Sequence, residues 1–330
     1  MAATASMRVS SFLARARGGS LGFRLWTGAV AAVVPAIVVG IALVLTHEST
    51  LSIRRFGFRF WSTSVWDPVA GSFGALPFIW GTLYSSLLAL LIATPIALGI
   101  AVFLSDLSPH ALRRPLIFLT ELLAAIPSIV YGLWGIFVLV PFVRAAQTLT
   151  PSWLRRTPFF EGPPLGIGLL AAGIVLAIMV VPFTASVARE VLRAVPASQR
   201  EGAYALGATR WEAIRMTLSY GRQGLIGAIM LGLGRALGET MAVTMVIGNT
   251  PKASLSLFAP QYTMAAVLAN EFTEAADDLH LHALVEIGLV LFLITVGINA
   301  LSRFLIWRVG ARGGRRRVRA AAPAVWPAAG

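Results

Sequence analysis

The sequence predicts an all-α integral membrane protein with six transmembrane helices, and three observations carry that prediction. The 330 residues are 57% hydrophobic and only 12% charged, where a soluble domain has about 25% charged residues. Mean hydropathy is +0.79. Six apolar runs reach the roughly 20 residues that a helix needs to cross the hydrocarbon core. Alternation of period two at about ten-residue spacing, the mark of an outer-membrane barrel, is absent. Helix follows because lipid offers no partner to a free backbone amide or carbonyl.

The first run, approximately Leu25–Thr46, follows four arginines. It is too long for a signal-peptide core and no clear small-residue cleavage site follows, so it reads as an uncleaved signal anchor. The others are approximately Phe78–Leu104, Pro115–Phe142, Leu165–Val187, Gly224–Ile247 and Leu284–Trp307. They define a transmembrane domain over 21–308, flanked by a basic tail at 1–20 and a basic, Ala-rich tail at 309–330. Both tails have the composition of disordered segments.

Six crossings put both termini on one side. The formal net charge of +13 then resolves into topology: nineteen of the 27 basic residues fall on the terminal side, seven on the other, and Arg235 completes the set. That bias makes the terminal side cytoplasmic. It adds attraction to anionic lipid at the tail and argues against a nucleic-acid partner. With no cysteine in the chain, disulfides and thiol chemistry are excluded.

Three external loops fall at about 47–77, 143–164 and 248–283. The last carries Glu271, Glu274, Asp277 and Asp278, either a solvated face or a docking surface for an external partner. Of the cytoplasmic loops, 105–114 is short, whereas 188–223 is longer than a connection needs. In the latter, Pro196 and Ser198 open a helix-favouring run that Gly207 stops. Thr209 then caps a second helix, with Glu212 placed for a capping box. Ala203, Leu206 and Ala208 give the first short helix an apolar face, and Trp211, Ile214 and Leu218 give one to the second. Such a pair suits either a surface gripped by another protein or an interfacial rest on headgroups.

No catalytic set is present. The single lysine, Lys252 in "NTPKAS", lies outside any phosphate-cradling loop of the G-x-x-x-x-G-K-[ST] form, so ATP hydrolysis by that route is excluded. The four histidines have no helical metal-ligand spacing with carboxylates, and no cofactor is expected in this chain. The sequence reads as a conduit, not an enzyme.

The sharpest anomaly is "GRALGET", Gly234 to Thr240. Arg235 falls about eleven residues, roughly 16 Å, into its apolar run. An arginine at that depth costs about 2.5–3.5 kcal/mol on insertion scales. Glu239 at i+4 can pair with it on one helix face, and Glu121, six residues into the third run, is a candidate third member. Gly234 and Gly238 leave that face without bulk, either for a helix to approach closely or for an anion beside Arg235. The charges therefore serve either as an oxyanion site in a wet path, with Glu239 limiting the affinity, or as a packing pair.

Glu201-Gly202-Ala203, then Gly207, Ile214 and Leu218, resemble the EAA loop of bacterial ABC importer permeases. Ser219 stands where that motif has proline, which leaves the end of the second short helix unmarked. "LGLGRALGETMAVTMVIGN" (231–249), "WDPVAGSFGALPFIWGTL" (66–83) and "LLAAIPSIVYGLWG" (122–135) narrow the resemblance to phosphate importer permeases of the PstC type, over roughly 25–308.

The resemblance implies a type I importer permease of the inner membrane that carries inorganic phosphate. Its implied partners are a PstA-type second permease, an ATPase dimer holding ATP and Mg, and a phosphate-binding protein. It also implies that Glu201, Ala203, Gly207, Ile214 and Leu218 belong to the ATPase-coupling loop and that Arg235 and Glu239 lie at intramembrane charged positions. A permease for another oxyanion, and an ATP-independent secondary anion transporter, are the alternatives.

Overall fold

The computed structural model describes the backbone of residues 2–320 and the side chains of residues 22–309. The sequence-defined tails, 1–20 and 309–330, lie outside the described side chains, Val309 excepted. Among the described residues regular structure is helical, apart from one bridge between Asp67 and Ser72. The order begins α1 (Ala2–Glu48), α2 (Thr50–Phe56), α3 (Arg59–Ser62), α4 (Leu76–Val102) and α5 (His110–Ala125). It continues α6 (Ser128–Trp134), α7 (Val140–Leu149), α8 (Ser152–Arg155), α9 (Leu169–Arg193) and α10 (Ala197–Ala205). It closes with α11 (Arg210–Leu237), α12 (Met241–Val246), α13 (Met264–Glu271) and α14 (Asp278–Ala320). A π-helical turn, Phe103–Leu107, extends α4, and another, Gly135–Leu139, joins α6 to α7.

Among the described residues five helical stretches are long and apolar enough to cross a membrane: Gly22–Glu48, Leu76–Leu107, Ser128–Leu149, Leu169–Arg193 and Asp278–Val309. Two expectations change. The run Pro115–Phe142 is not one helix, because Ile126 and Pro127 are extended, with ψ of 130° and 138°. Proline lacks the amide a helix needs and pushes the preceding residue out of the helical region. The run Gly224–Ile247 is not one helix either. It ends α11 at Leu237, passes through Gly238, Glu239 and Thr240, and resumes as the six-residue α12. The second short helix of loop 188–223 likewise has no end of its own, since α11 runs 28 residues without interruption. Ser219, unlike proline, keeps its amide, so nothing stops the helix there.

The spine is α4 against α9. Gly81, Ser85, Ala89, Ala93, Ala97 and Ala101 recur at every fourth position of α4 and are buried. Ala89 and Ala93 share a cluster with Ala171, Ala172, Leu176 and Met179 of α9, and Ala101 meets Ala188 and Leu192. In lipid, burial of apolar area does not drive helices together, so close approach through small residues and dispersion does. At the far end, Phe73, Phe78, Tyr262, Leu284 and Ile287 form a second core. Trp66 donates its indole N–H to Glu271 at 2.9 Å, and His280 lies 3.3 Å from the same oxygen. Glu271 of the acidic loop therefore turns inward, while Glu274, Asp277 and Asp278 are exposed.

Candidate functional site

Arg235 sits in the last turn of α11, three residues before Gly238. The helix ends at Gly238, whose backbone (φ −92°, ψ 1°) leaves helical geometry. A cation in a last turn is favoured by the partial negative charge of the terminal carbonyls. Among the described residues Arg235 has no ion pair; its Nε is buried without a hydrogen-bond partner. Its guanidinium lies over the Phe183 ring of α9, 5.7 Å from the centroid.

The pair expected at i and i+4 does not form. No nitrogen–oxygen approach within 4.0 Å joins Arg235 to Glu239. The i+4 rule holds only along a continuous helix, and this one stops between the two residues. Glu239 instead accepts from the Ala242 amide at 3.3 Å and caps α12. Glu121 does not join them. It lies on α5, its carboxylate half-exposed and 3.5 Å from Arg189 of α9. Arg189, which sequence reasoning left among the loop arginines, is only 6% exposed and also pairs with Glu190 at 2.7 Å.

The glycines around Arg235 differ from one another. A Cβ on Gly232 would stand 2.4 Å from Thr184 Oγ1, so Gly232 is what lets α9 pack on α11. A Cβ on Gly234 would meet nothing within 4 Å, and one on Gly238 only the Gly234 carbonyl at 3.8 Å. Among the described residues, the position a Cβ would take on Gly234 is open, and Gly238 lines an open groove with Ala265, Leu268 and Ala269 of α13.

The two broken segments pack on each other. A Cβ on Gly132 of α6 would stand 3.1 Å from the Ala242 Cα of α12, and Tyr131 donates at 2.7 Å to the Leu123 carbonyl, which at the break keeps only a long bond, 3.4 Å, from the Ile126 amide. Irregular backbone at membrane depth persists only where protein buries it or water lines it.

In loop 188–223 the Thr209 capping box forms. Glu212 accepts from the Thr209 amide at 2.7 Å, and Thr209 Oγ1 accepts from the Glu212 amide at 3.4 Å. Gly207, at φ +81°, occupies a conformation that ordinary residues rarely take. Of the motif residues, Ala203 and Ile214 are buried, Leu218 packs partly against the cluster around Ala188 and Leu192, and Glu201 and Gly207 are exposed. Leu206, expected on the apolar face with Ala203, is instead 91% exposed. Tyr204 and Trp211 are exposed beside it, so the outward surface is more aromatic and apolar than the motif alone suggests. Arg200 of α10, also missed, reaches Asp106 at 2.8 Å.

Residues 97–312 match the family described as binding-protein-dependent transport system inner membrane components. The chain is 48% identical over 298 residues to the phosphate transport system permease protein PstC of Mesorhizobium japonicum, covering 88% of this chain and 91% of that one. It is 48% identical over 300 residues to the protein of that name from Pasteurella multocida, covering 89% and 93%. The Haemophilus influenzae protein of that name is 47% identical over 293 residues, covering 87% and 93%. In fold it resembles a chain of the MetNI methionine ABC transporter in inward-facing conformations, with a TM-score of 0.54 at 19% identity, over 70% of this chain and 94% of that one.

Proposed function

Because the chain belongs to the family of binding-protein-dependent transport system inner membrane components, we propose that it is a membrane-spanning subunit of an ATP-driven importer that carries inorganic phosphate across the inner membrane. The relatives that support the substrate are phosphate permeases by name and match along about nine-tenths of their length. In this reading the broken segment α11–α12 adds a sixth crossing to the five apolar stretches, and both termini are cytoplasmic. ATP and Mg belong to a separate ATPase dimer. A PstA-type permease and a phosphate-binding protein complete the assembly.

The observation that carries the site is an unpaired Arg235 at a helix break. Phosphate arrives with one to two negative charges and cannot enter hydrocarbon. A planar, permanently charged fork gives it a partner at the worst point of the path. The open space at Gly234 and Gly238 supports access from one side, and the ended helix supports a wet surrounding. Glu239, bound to the α12 amide rather than to Arg235, leaves the guanidinium free for the anion and repels a phosphate that lingers. Glu121, held by Arg189, belongs to a separate pair and not to this path. Glu201, Tyr204, Leu206 and Trp211 form the surface that an ATPase cleft would grip, and Ala203, Ile214 and Leu218 anchor it from behind.

The test is ATP-dependent uptake of radiolabelled phosphate by the assembled complex in proteoliposomes, wild type beside Arg235→Ala, after co-purification has verified assembly. Lost uptake with assembly intact is expected. Unchanged uptake would remove Arg235 from the path. Competition by sulfate or molybdate in the wild type separates phosphate from another oxyanion.

A further inference from the structure

The π-helical turn Phe103–Leu107 at the end of α4 draws together three elements that its sequence does not link. Arg200 of α10 pairs with Asp106 at 2.8 Å and donates to the Leu192 carbonyl at the end of α9 at 3.0 Å. Arg113, in the first turn of α5, donates to the Ser105 carbonyl at 3.1 Å. Ser105 hydroxyl donates to the other Asp106 oxygen. Asp106 is mostly buried, its side chain 12% exposed, so the pair is little screened by water. Single π-turns inside helices are rare and recur at functional positions. This one swings Asp106 toward α10.

The opposite end of α4 is tied just as specifically. Trp80 donates to the Ser254 carbonyl at 2.8 Å, Tyr84 to the Leu255 carbonyl at 2.9 Å, and Thr82 Oγ1 accepts from the Met264 amide at 2.9 Å. A Cβ on Gly81 would stand 2.2 Å from the Tyr262 carbonyl. The segment so held, 254–264, lies beyond the loop that follows α12 and bonds across the start of α9, where the Leu169 and Leu170 amides reach the Ala259 and Leu257 carbonyls.

We propose that the Asp106–Arg200 pair makes α4 a strut that carries displacement of the coupling helix α10 to segment 254–264 at the opposite mouth. Without the pair, movement of α10 passes through its chain connections to α9 and α11, the Arg200–Leu192 bond and the packing of Ala203, none of which reaches α4 directly. With it, the same movement reaches a continuous helix whose far end grips the backbone beyond Arg235's own crossing. Asp106 and Arg200 are positioning residues in this scheme; neither meets the anion. The inference rests on the proposed coupling of α10 to an ATPase, and its test separates the two.

The assembled wild-type complex, Asp106→Asn, Arg200→Gln and the double variant are compared in proteoliposomes for phosphate uptake and ATP hydrolysis. In the same samples, amide exchange of residues 254–264 is followed with and without ATP. Co-purifying single variants are expected to lose uptake per ATP by about tenfold, the scale of one charged hydrogen bond. ATP should no longer alter exchange at 254–264, and the double variant should be no worse than either single. A wild-type uptake ratio and exchange response in the single variants would overturn the strut alone. Additive losses, or uptake and hydrolysis falling together as the complex dissociates, would reduce the pair to an anchor and also overturn it. A wild type that hydrolyses ATP without driven uptake would remove the proposed function and the strut with it.

Discussion

Alanine at Gly232 and alanine at Gly234 should have opposite consequences, though the substitutions are chemically identical and two residues apart on one helix. At Gly232 the new methyl would stand 2.4 Å from Thr184 Oγ1 and 3.0 Å from Val180 Cγ1. Ordinary contact begins near 3.4 Å, so α9 and α11 must part by about 1 Å, an overpacking strain of about 1–3 kcal/mol. At Gly234 the methyl meets nothing within 4 Å, so no strain arises. Replacing a helical glycine by alanine gains up to about 1 kcal/mol in each variant, a term that cancels between them. Their apparent Tm values should therefore differ by roughly 2–12 °C, Gly232→Ala the lower, at about 2–4 °C per kcal/mol. Thermal denaturation of the purified complex, read by retention of assembly, measures this. Function should split the other way. Gly234→Ala assembles normally yet slows phosphate uptake, because its methyl narrows the space beside Arg235. Equal Tm values would refute the packing argument. A destabilised Gly234→Ala would mean that a partner helix, not the anion path, occupies that space.

Three further outcomes follow from other contacts. Tyr131→Phe removes the hydrogen bond to the Leu123 carbonyl and should cost about 1 kcal/mol, seen as a Tm lower by a few degrees with uptake little changed. Glu121→Gln should cost less than about 1 kcal/mol, because its carboxylate is half-exposed, and should leave uptake intact; abolished uptake would return Glu121 to the path. The Thr209 amide, and then its hydroxyl, hold the Glu212 carboxyl below its ordinary value of 4.5. A depressed carboxylate stabilises the fold above its unfolded pKa and loses that contribution as pH falls through the folded value. Exchange at the Glu212 and Ala213 amides, corrected for its intrinsic rate, should thus accelerate below pH 4.5 in wild type and not in Glu212→Gln.

The chain's own composition determined that it is helical and crosses a membrane, and local residue chemistry determined where many elements begin and end. The Thr209 capping box, the stop at Gly207 and the presence of an arginine too costly to be casual all follow from neighbours in sequence. The small residues of α4 recur with a period of four that the sequence reading passed over, and only the packed structure gives them α9 as their partner. What hydropathy could not decide was continuity. A sliding average registers apolar content and passes over Ile126–Pro127 and Gly238–Thr240, because a break inside an apolar run hardly changes its mean. Once α11 ends at Leu237, helical spacing no longer binds Glu239 to Arg235, and the expected pair becomes a free cation and a separate cap. Charge pairing across the chain was also beyond spacing rules. Arg189 meets Glu121, and Arg200 meets Asp106, across 68 and 94 positions of sequence. Arginine near a predicted span end looks alike whether it faces solvent or a buried carboxylate. Only the packing of α4, α5 and α9 decides which, because a charge buried at a helix junction is stable there only when another element brings its partner.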